Sequence, residues 1–452
     1  MYPDGCNFNG QSLMLNANDG LPVNLLKVCK RDLLCKLGGF LFLLSASTAT
    51  AASNITELPD EMISAIRSAM QTHPDVMAAD SKMLSAKSQV EAGGYRWYPK
   101  AEVAVRTGET GDRYSTVGLN QTLWDHGKIN ADFEAAKASE LGAMSGKNAA
   151  IQSVGMAAAI AYLDVARARE QRAVAEENLN EHKKLHFSVL KRSDNGIGSK
   201  SDVTLTTSRL QQARAVERQW SGSVSRAEAV YLSVIGSAAA AGSLPTIQSW
   251  TVADGESGLI SRVVTRSPSL QKLREEVKVA EATVESKKAL LYPTLYARVD
   301  NTRYFGSGPF DSDTRFSVNF QWQNDVALTQ RFQVEAAQHM VDAAKHALES
   351  EERVLVQTSS NYWSDYTTAL SRSEELEKFA VSAAETVKLF KRQFTIGRRS
   401  WPEVTNTLQD LYSANSQRVD AKYAVMTARM QLAFVGGEMD YLIDAYRNTP
   451  AK

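Results

Sequence analysis

The sequence predicts a mainly α-helical chain that carries two β-hairpins of membrane-spanning length and consists of two tandem copies of one unit. Proline is absent from residues 100–244 and again from 310–401, and because an interior proline costs a helix about 3 kcal/mol, both gaps favour very long helices. Alternating apolar and polar residues fill two pairs of runs of about ten residues, the pattern of β-strands. Pro74 and Pro268 mark equivalent positions, since each lies 25 residues before the proline of a Tyr-Pro pair and helical spacing fills the interval.

The N-terminus has the three parts of a secretory signal peptide in the usual order. Basic residues from Lys27 to Lys36 precede a short apolar stretch at 37–44 and a small-x-small site at 49–51. We therefore assign residues 1–51 to a signal peptide with an N-terminal extension and expect the mature chain to begin near Ala52. A short buried helix is the alternative, and the order of the three parts disfavours it.

Composition argues against several classes of function. The 51 basic and 51 acidic side chains balance, so nothing points to the basic surface that nucleic-acid binding requires. No stretch reaches the roughly 18 uninterrupted apolar residues of a membrane-spanning helix. We expect the mature chain to have no disulfide, no thiolate metal site and no lipid-anchored N-terminal cysteine. All three cysteines precede the predicted cleavage site: Cys6, Cys29 and Cys35.

Two repeats are predicted at 52–245 and 246–440, followed by a C-terminal tail at 441–452. In each repeat a helix precedes a strand pair and a long helical hairpin. The first long helix is predicted from Lys128 to about Arg192, a rod on the order of 100 Å at about 1.5 Å per residue. Such a rod must lie against similar rods. A soluble helical bundle or a spectrin-like rod would also supply them, but those folds do not need the hairpins.

The four strands are predicted at about 98–107, 114–124, 294–304 and 313–323. The last strand alternates most clearly, with apolar residues on one face and polar residues on the other: Phe316, Val318, Phe320 and Trp322 against Arg315, Ser317, Asn319 and Gln321. An apolar outer row and a polar inner row suit a water-filled barrel in lipid. A half-buried soluble sheet alternates in the same way, but the signal peptide and the lack of a compact β-domain favour the membrane.

Four strands cannot close a barrel, so the chain is expected to oligomerise. Lipid does not tolerate open sheet edges, and the smallest outer-membrane barrels have about eight strands. A dimer would supply eight strands and a trimer twelve, and the strand count alone does not choose between them.

A glycine-bearing turn joins the two long helices of each repeat. Gly196 and Gly397 are each separated by five residues from an acid followed by valine. Glycine fits the left-handed position that ends a helix, and Pro402 fits the first turn of the next one. Asp202 is predicted to be the N-cap of the helix that follows the first turn.

This arrangement resembles the TolC family of outer-membrane efflux and secretion channels over about residues 55–440. The resemblance rests on the two repeats, on Gln-x3-Asp at the end of the second strand, residues 121–125, and on Gly-x5-acid-Val at both turns. It implies a homotrimer whose 12-stranded barrel crosses the outer membrane of a Gram-negative bacterium and whose helical tunnel crosses the periplasm. It also implies a periplasmic membrane-fusion adaptor and an inner-membrane ABC transporter as partners, with an RND pump as the alternative, and no cofactor.

The resemblance further implies that both glycine-bearing turns form the periplasmic tip, where acidic side chains ring the aperture. Asp202 and Glu403 match the acidic positions of the family. Ser201 and Arg399 match the hydroxyl and the basic residue that meet across the closed tip. Without the resemblance, Asp202 would be a helix cap and Arg399 a solvated loop charge.

Two tip positions depart from the family pattern. Phe394 stands where a gating tyrosine can stand, so it offers no hydroxyl, and Asn406 stands where a second acid can stand. We therefore expect a weaker lock that relies mainly on Arg399.

Enzymatic activity is not expected. His182 and His186 have a spacing that could bind a metal, but the glutamate of a metalloprotease motif is missing, so we expect exposed histidines on a rod. The same holds for His339 and His346. The sequence contains no phosphate-binding loop and no nucleophile elbow, so energy for transport must come from a partner. A periplasmic structural rod or adaptor is a second alternative, but adaptors carry compact β-domains rather than two hairpins of membrane length.

Within the channel class the cargo is the open question. The whole sequence is most similar to the LapE-like or agglutination-type outlets of type I secretion, which export large surface adhesins. Such outlets usually lack an N-terminal lipidated cysteine, as this chain does. The outlet of a multidrug or small-molecule efflux pump is the alternative.

Overall fold

The computed structural model of the protein describes residues 58–107, 113–240, 255–305, 312–322 and 329–439. The predicted signal peptide with its three cysteines and the C-terminal tail lie outside these residues. The first repeat contains α1 (Asp60–Thr72), α2 (Pro74–Gly94), β1 (Lys100–Thr107), β2 (Arg113–Trp124), α3 (Lys128–Asp194) and α4 (Lys200–Ile235). The second contains α5 (Gly255–Arg266), α6 (Pro268–Ala289), β3 (Thr294–Phe305), β4 (Ser312–Gln321), α7 (Thr329–Thr395) and α8 (Trp401–Val435).

The predicted fold class, a mainly helical chain with four strands in two tandem repeats, is confirmed. Pro74 and Pro268 are the first residues of α2 and α6, where a missing N–H costs nothing because a first-turn amide has no partner within the helix. The long helices α3 and α7 contain 67 residues each. The boundary proposed between residues 245 and 246 lies outside the described residues and stays a prediction.

The strands form one antiparallel sheet in the order β1-β2-β3-β4, with both outer edges unpaired among the described residues. The register places Ala101, Leu119, Val299 and Phe316 side by side across the four strands. Their face is apolar and open, as Phe316 is 69% exposed. The first strand begins at Lys100 rather than at 98, because Tyr98 and Pro99 connect a short helical turn, Tyr95–Trp97, to the strand. The last strand ends at Gln321, two residues earlier than predicted.

The helices pack side by side as the rod argument requires. Helix α3 packs along α4, α6 and α8, and α7 packs along α6 and α8. The largest buried cluster lies where α1, α3, α4 and α8 meet, and includes Met62, Ile66, Ile151, Tyr423 and Phe434. Among the described residues, α3 is long and apolar enough by composition to cross a membrane, but half of its most apolar window is buried within the protein, as in a core helix.

The Gln-x3-Asp motif turns the chain from the sheet into α3. Gln121 Nε2 donates to Trp97 O at 2.7 Å, which fixes the end of β2. Asp125 is buried and accepts hydrogen bonds from the amides of Gly127 at 3.1 Å and Ile129 at 2.7 Å. Its carboxylate therefore satisfies amides that the first turn of α3 would leave unpaired.

Candidate functional site

The two turns that end the rods have the same backbone geometry. Gly196 and Gly397 adopt φ of 73° and 75°, the left-handed conformation that glycine enters without steric cost. Beyond the first glycine, Ile197 N donates to Arg192 O at 2.9 Å, and the equivalent bond of the second turn has the same length. These are the hydrogen bonds of a Schellman motif, so both glycines end the incoming helix as predicted.

The outgoing helices begin with capping boxes. Ser199 is the N-cap of α4, and Asp202 occupies the third helical position, where its Oδ2 accepts from Ser199 N at 3.4 Å. The prediction that Asp202 is the N-cap is therefore wrong. The cap is Ser199, three residues earlier, whose hydroxyl accepts a hydrogen bond from a free amide of the first turn. Ser400 and Glu403 repeat the arrangement at α8, with Ser400 N donating to Glu403 Oε2 at 2.9 Å.

Ser201 of the first turn and Asn406 of α8 lie on the surface. Ser201 Oγ is 2.7 Å from Ser199 Oγ. Asn406 is exposed and makes no side-chain hydrogen bond within the part of the chain that the structure describes. Pro402 lies in the first turn of α8, as predicted.

Arg399 contacts residues of the helical hairpin to which it belongs, formed by α7 and α8. Its guanidinium pairs with Glu403, its Nε donates to Gln393 Oε1 at 3.1 Å, and it stacks over the Phe390 ring at 4.4 Å. Among the described residues of the chain, Arg399 does not contact Ser201, the hydroxyl predicted to meet it across the closed tip. That contact therefore stays a prediction.

Glu403 remains ionised at neutral pH. Hydrogen bonds from the backbone N–H and the hydroxyl of Ser400, followed by the one from Arg399, lower the pKa of Glu403 to about 2. The second turn therefore carries a fixed negative charge beside a fixed positive one.

The helical hairpin of α3 and α4 contacts the helical hairpin of α7 and α8 at Phe394. No sequence pattern indicated a partner for this residue. The Phe394 side chain is buried, and the Arg192 guanidinium lies 4.5 Å from its ring centroid. Arg192 Nη2 also donates to Phe394 O at 3.2 Å. In the sequence Arg192 is simply a cation in the last turn of a helix, a favourable position in any helix, so the sequence analysis missed it.

Apolar residues from three helices lie beneath this contact. The cluster comprises Leu185 and Val189 of α3, Val387 and Phe394 of α7, and Val404 and Leu408 of α8. One turn away from it, Lys391 of α7 forms an ion pair with Glu181 of α3. Burial alone would raise the pKa of Glu181, but hydrogen bonds from Lys184 and Lys391 outweigh it and lower that pKa.

Two of the four rod histidines differ from the expected exposure. His182 is buried rather than exposed, because α3 presents it to the neighbouring helices; burial, followed by the positive charge of Arg209, lowers its pKa. His186 is half-buried rather than exposed, and its Nδ1 is 3.2 Å from Thr206 Oγ1. The other two rod histidines, His339 and His346, are exposed as predicted. Within the described ranges, no group of three or more His, Cys, Asp or Glu side chains could hold a metal ion.

The polar face of the sheet carries a second cluster of charged side chains. Arg298 Nε donates to both carboxylate oxygens of Asp300, at 2.8 and 2.7 Å, and its Nη2 is 3.4 Å from Glu102 Oε2. Gly118 lies opposite Asp300 on the neighbouring strand, where a Cβ atom would collide with Asp300 Oδ1. A side chain at residue 118 would therefore displace the ion pair.

A family model described as outer membrane efflux protein matches residues 65–237 and 259–438. The outer membrane efflux protein BepC of Brucella suis biovar 1 (strain 1330) is 25% identical over 352 residues, which cover 72% of each chain. A membrane protein from Pseudomonas aeruginosa has a similar crystal structure, with a TM-score of 0.75, 16% identity and coverage of 84% of this chain and 94% of its own. The CmeC outer membrane channel of Campylobacter jejuni gives a TM-score of 0.73, 13% identity and coverage of 86% and 89%.

Proposed function

The chain belongs to the outer membrane efflux protein family, and we propose that it is the exit duct of a type I system that secretes a large surface adhesin. Family membership makes it an outer-membrane channel of a tripartite transport system that extends into the periplasm. The observation that supports the duct most directly is a four-stranded sheet, apolar outside and charged inside, at one end of rods about 100 Å long.

The open edges of that sheet favour assembly of three chains. In a trimer, β4 of each chain would pair with β1 of the next, and twelve strands would enclose a lumen lined by the polar face. Outer-membrane fractions should contain trimers that resist SDS until heated. A soluble periplasmic monomer would refute the proposal and favour a structural rod or adaptor.

Transport energy is proposed to come from partners. The sequence has no phosphate-binding loop. A periplasmic membrane-fusion adaptor would join the helical tip to an inner-membrane transporter, which we propose is an ABC transporter rather than an RND pump. Cross-linking from the tip in cells, followed by identification of the captured transporter, separates the two.

The cargo proposal rests on the similarity to secretion outlets and on the absence of any cysteine after residue 35. The outlet of a small-molecule efflux pump is the second candidate, since the relative BepC is described as an efflux protein. Deletion should remove one large protein from the cell surface and leave drug susceptibility unchanged, and the intact gene should restore the protein. Higher drug susceptibility with an unchanged surface and medium proteome would favour efflux instead.

The tip is proposed to be the gate. Asp202 and Glu403 would ring the aperture, and Arg399 would help to hold it closed in the trimer. Arg399→Ala should therefore raise single-channel conductance in planar bilayers. A conductance no higher than that of the wild type would remove Arg399 from the lock.

A further inference from the structure

Arg192 ties the first helical hairpin to the second, and we propose that its contact with Phe394 is the latch within each chain that keeps the tip closed. This inference rests on the proposed channel function. It assigns the intrachain part of gating to a residue outside both glycine-bearing turns.

The contact joins the ends of the two longest helices. Arg192 is in the last turn of α3 and Phe394 in the last turn of α7, and the carbonyl oxygens of both residues already accept Schellman or turn hydrogen bonds. The guanidinium therefore lies where two helix C-termini meet, and its positive charge complements both helix dipoles. Its stacking on a largely desolvated ring adds a cation–π attraction.

The second turn cannot supply the same contact. Gln393 holds the position equivalent to Arg192, four residues before the turn glycine, and it accepts a hydrogen bond from Arg399. Arg399 stays on its own hairpin, so Arg192 is the guanidinium that bridges the two hairpin ends among the described residues.

Separating the hairpins would break the contact and expose the Phe394 ring, while water could solvate the freed guanidinium and carbonyl. The cost of opening is therefore moderate, as a switch requires. Coupling free energies between sites in proteins typically correspond to about 5- to 150-fold changes in an equilibrium.

The test is the open probability of the purified full-length protein in planar bilayers. Arg192→Met keeps an apolar stem over the ring but removes the charge and the donor, and it should raise the open probability about fivefold or more. Phe394→Leu should also raise the open probability, and the double variant should raise it little further than either single variant. Arg398→Met is the matched control, because Arg398 is an exposed arginine on the second turn and makes no side-chain contact with the first hairpin among the described residues.

Equal open probabilities for Arg192→Met and Arg398→Met, with trimers intact on gels, would overturn the latch. Failure of the wild type and of both latch variants to conduct would instead overturn the proposed channel function. The two failures are therefore distinguishable.

A second observation concerns the outward face of the sheet, which changes from apolar to basic along the strands. On β3 the outward positions run from Leu295 through Val299 to the exposed Arg303. Arg303 pairs in register with Ser115 of β2, so the exposed Arg113, two residues further, is its diagonal neighbour on the same face. We infer that Arg113 and Arg303 bind the phosphate of a lipid in the outer leaflet.

The position of the two arginines along the membrane normal supports this assignment. Leu295 pairs with Phe320, and Trp322 lies two residues closer to the rods, so about ten residues separate the levels of Trp322 and Arg303. At about 3.4 Å per residue and a tilt of about 40°, that distance spans roughly 26 Å of depth. Apolar bands of outer-membrane barrels are about 25 Å tall, with aromatic residues at both borders, so the arginines reach the far headgroups.

Neighbouring chains would not cover this face, because Arg113 and Arg303 lie on the two central strands, and neither side chain forms an ion pair within the described residues. Native mass spectrometry of the detergent-purified trimer, titrated with lipid A, should show retained lipid. The double variant Arg113→Ser, Arg303→Ser should lose most of it, whereas Arg106→Ser should not. Arg106 lies at the same height on the inner face, one residue pair from Arg113.

Equal lipid retention by the double variant and the Arg106→Ser control would overturn the assignment. Displacement of lipid A by low concentrations of inorganic phosphate would also overturn it, because the site would then be a general anion site rather than a lipid site.

Discussion

Gly155 lets three helices approach one another, and replacing it with alanine tests that packing quantitatively. A methyl group at this position of α3 would collide with Met70 of α1 and would lie 2.9 Å from Cε1 of the Phe434 ring of α8. Met70 and Phe434 are 0% and 1% exposed, so neither side chain can move into solvent. Gly146 of the same helix is the matched control, since a methyl group there meets only Lys272 Cδ, at 3.7 Å.

The packing cost at Gly155 follows from the difference in stability between Gly155→Ala and Gly146→Ala. Both gain the helix propensity of alanine over glycine, about 1 kcal/mol, so their difference isolates the packing cost. Overpacking a close-packed core costs about 1–3 kcal/mol. At an unfolding entropy of about 2.1 cal/mol/K per residue, a chain of roughly 400 residues converts this into about 1–4 °C of Tm.

Differential scanning fluorimetry at one scan rate, in one detergent, measures that difference. Apparent Tm values at a fixed rate are the appropriate quantity because large proteins often unfold irreversibly. Gly146→Ala should melt at or above the wild type, and Gly155→Ala should melt below Gly146→Ala. If Gly155→Ala melts as high as Gly146→Ala, then α1 and α8 do not approach α3 as closely as the structure places them.

Gly118→Ala should displace the Asp300 carboxylate and change the cation-to-anion selectivity of the pore in bilayer recordings, and unchanged selectivity would mean that this cluster does not act on permeating ions. His182 should make stability depend on pH: its pKa is lower in the folded state than the unfolded value of about 6.5, so stability is complete above about pH 6.5 and falls below it. Tm measured between about pH 7.5 and 5 should fall less steeply for His182→Gln, and an equal slope would contradict the burial of this ring. The pKa of Glu403 is lowered to about 2, so the contribution of its capping box is complete above the unfolded pKa of about 4.3 and is lost as the pH falls through about 2. The fluorescence of Trp401 should change as the capping box is lost, and Glu403→Gln should show no such transition. A transition midpoint near the unfolded pKa would show that Ser400 and Arg399 do not stabilise the carboxylate.

The rods and the strands were predictable because their signals are local. A proline-free interval with three-four spacing specifies a helix whatever its neighbours, and α3 accordingly runs without interruption from Lys128 to Asp194. Alternation likewise specifies the two faces of a strand, and the register shows the expected apolar residues on one face of the sheet. The left-handed glycines follow from the same kind of local argument.

The errors and omissions arise where the role or the burial of a residue depends on a neighbouring residue or on another helix. Asp202 was assigned the capping position although Ser199, three residues earlier, could also take it, and the two divide the roles of a capping box. His182 is buried by helices that its own sequence window does not contain. Arg192 and Phe394 lie 202 residues apart, so no local pattern could relate them.

The two repeats match in the length of their long helices and in the geometry of their turns, yet they differ where the hairpins touch. Arg192 and Ser193 in the first repeat correspond to Gln393 and Phe394 in the second, counted from the turn glycines. Two copies of the first repeat would place an arginine against a serine, and two copies of the second would place a glutamine against a phenylalanine. Neither pair offers the attraction between a guanidinium and an aromatic face. The difference at these two positions makes the hairpins complementary, so the contact that we propose as a latch requires both repeats side by side in one chain. A gate built this way responds to the relative position of the two hairpins, which is the quantity that an adaptor bound along the rods would change.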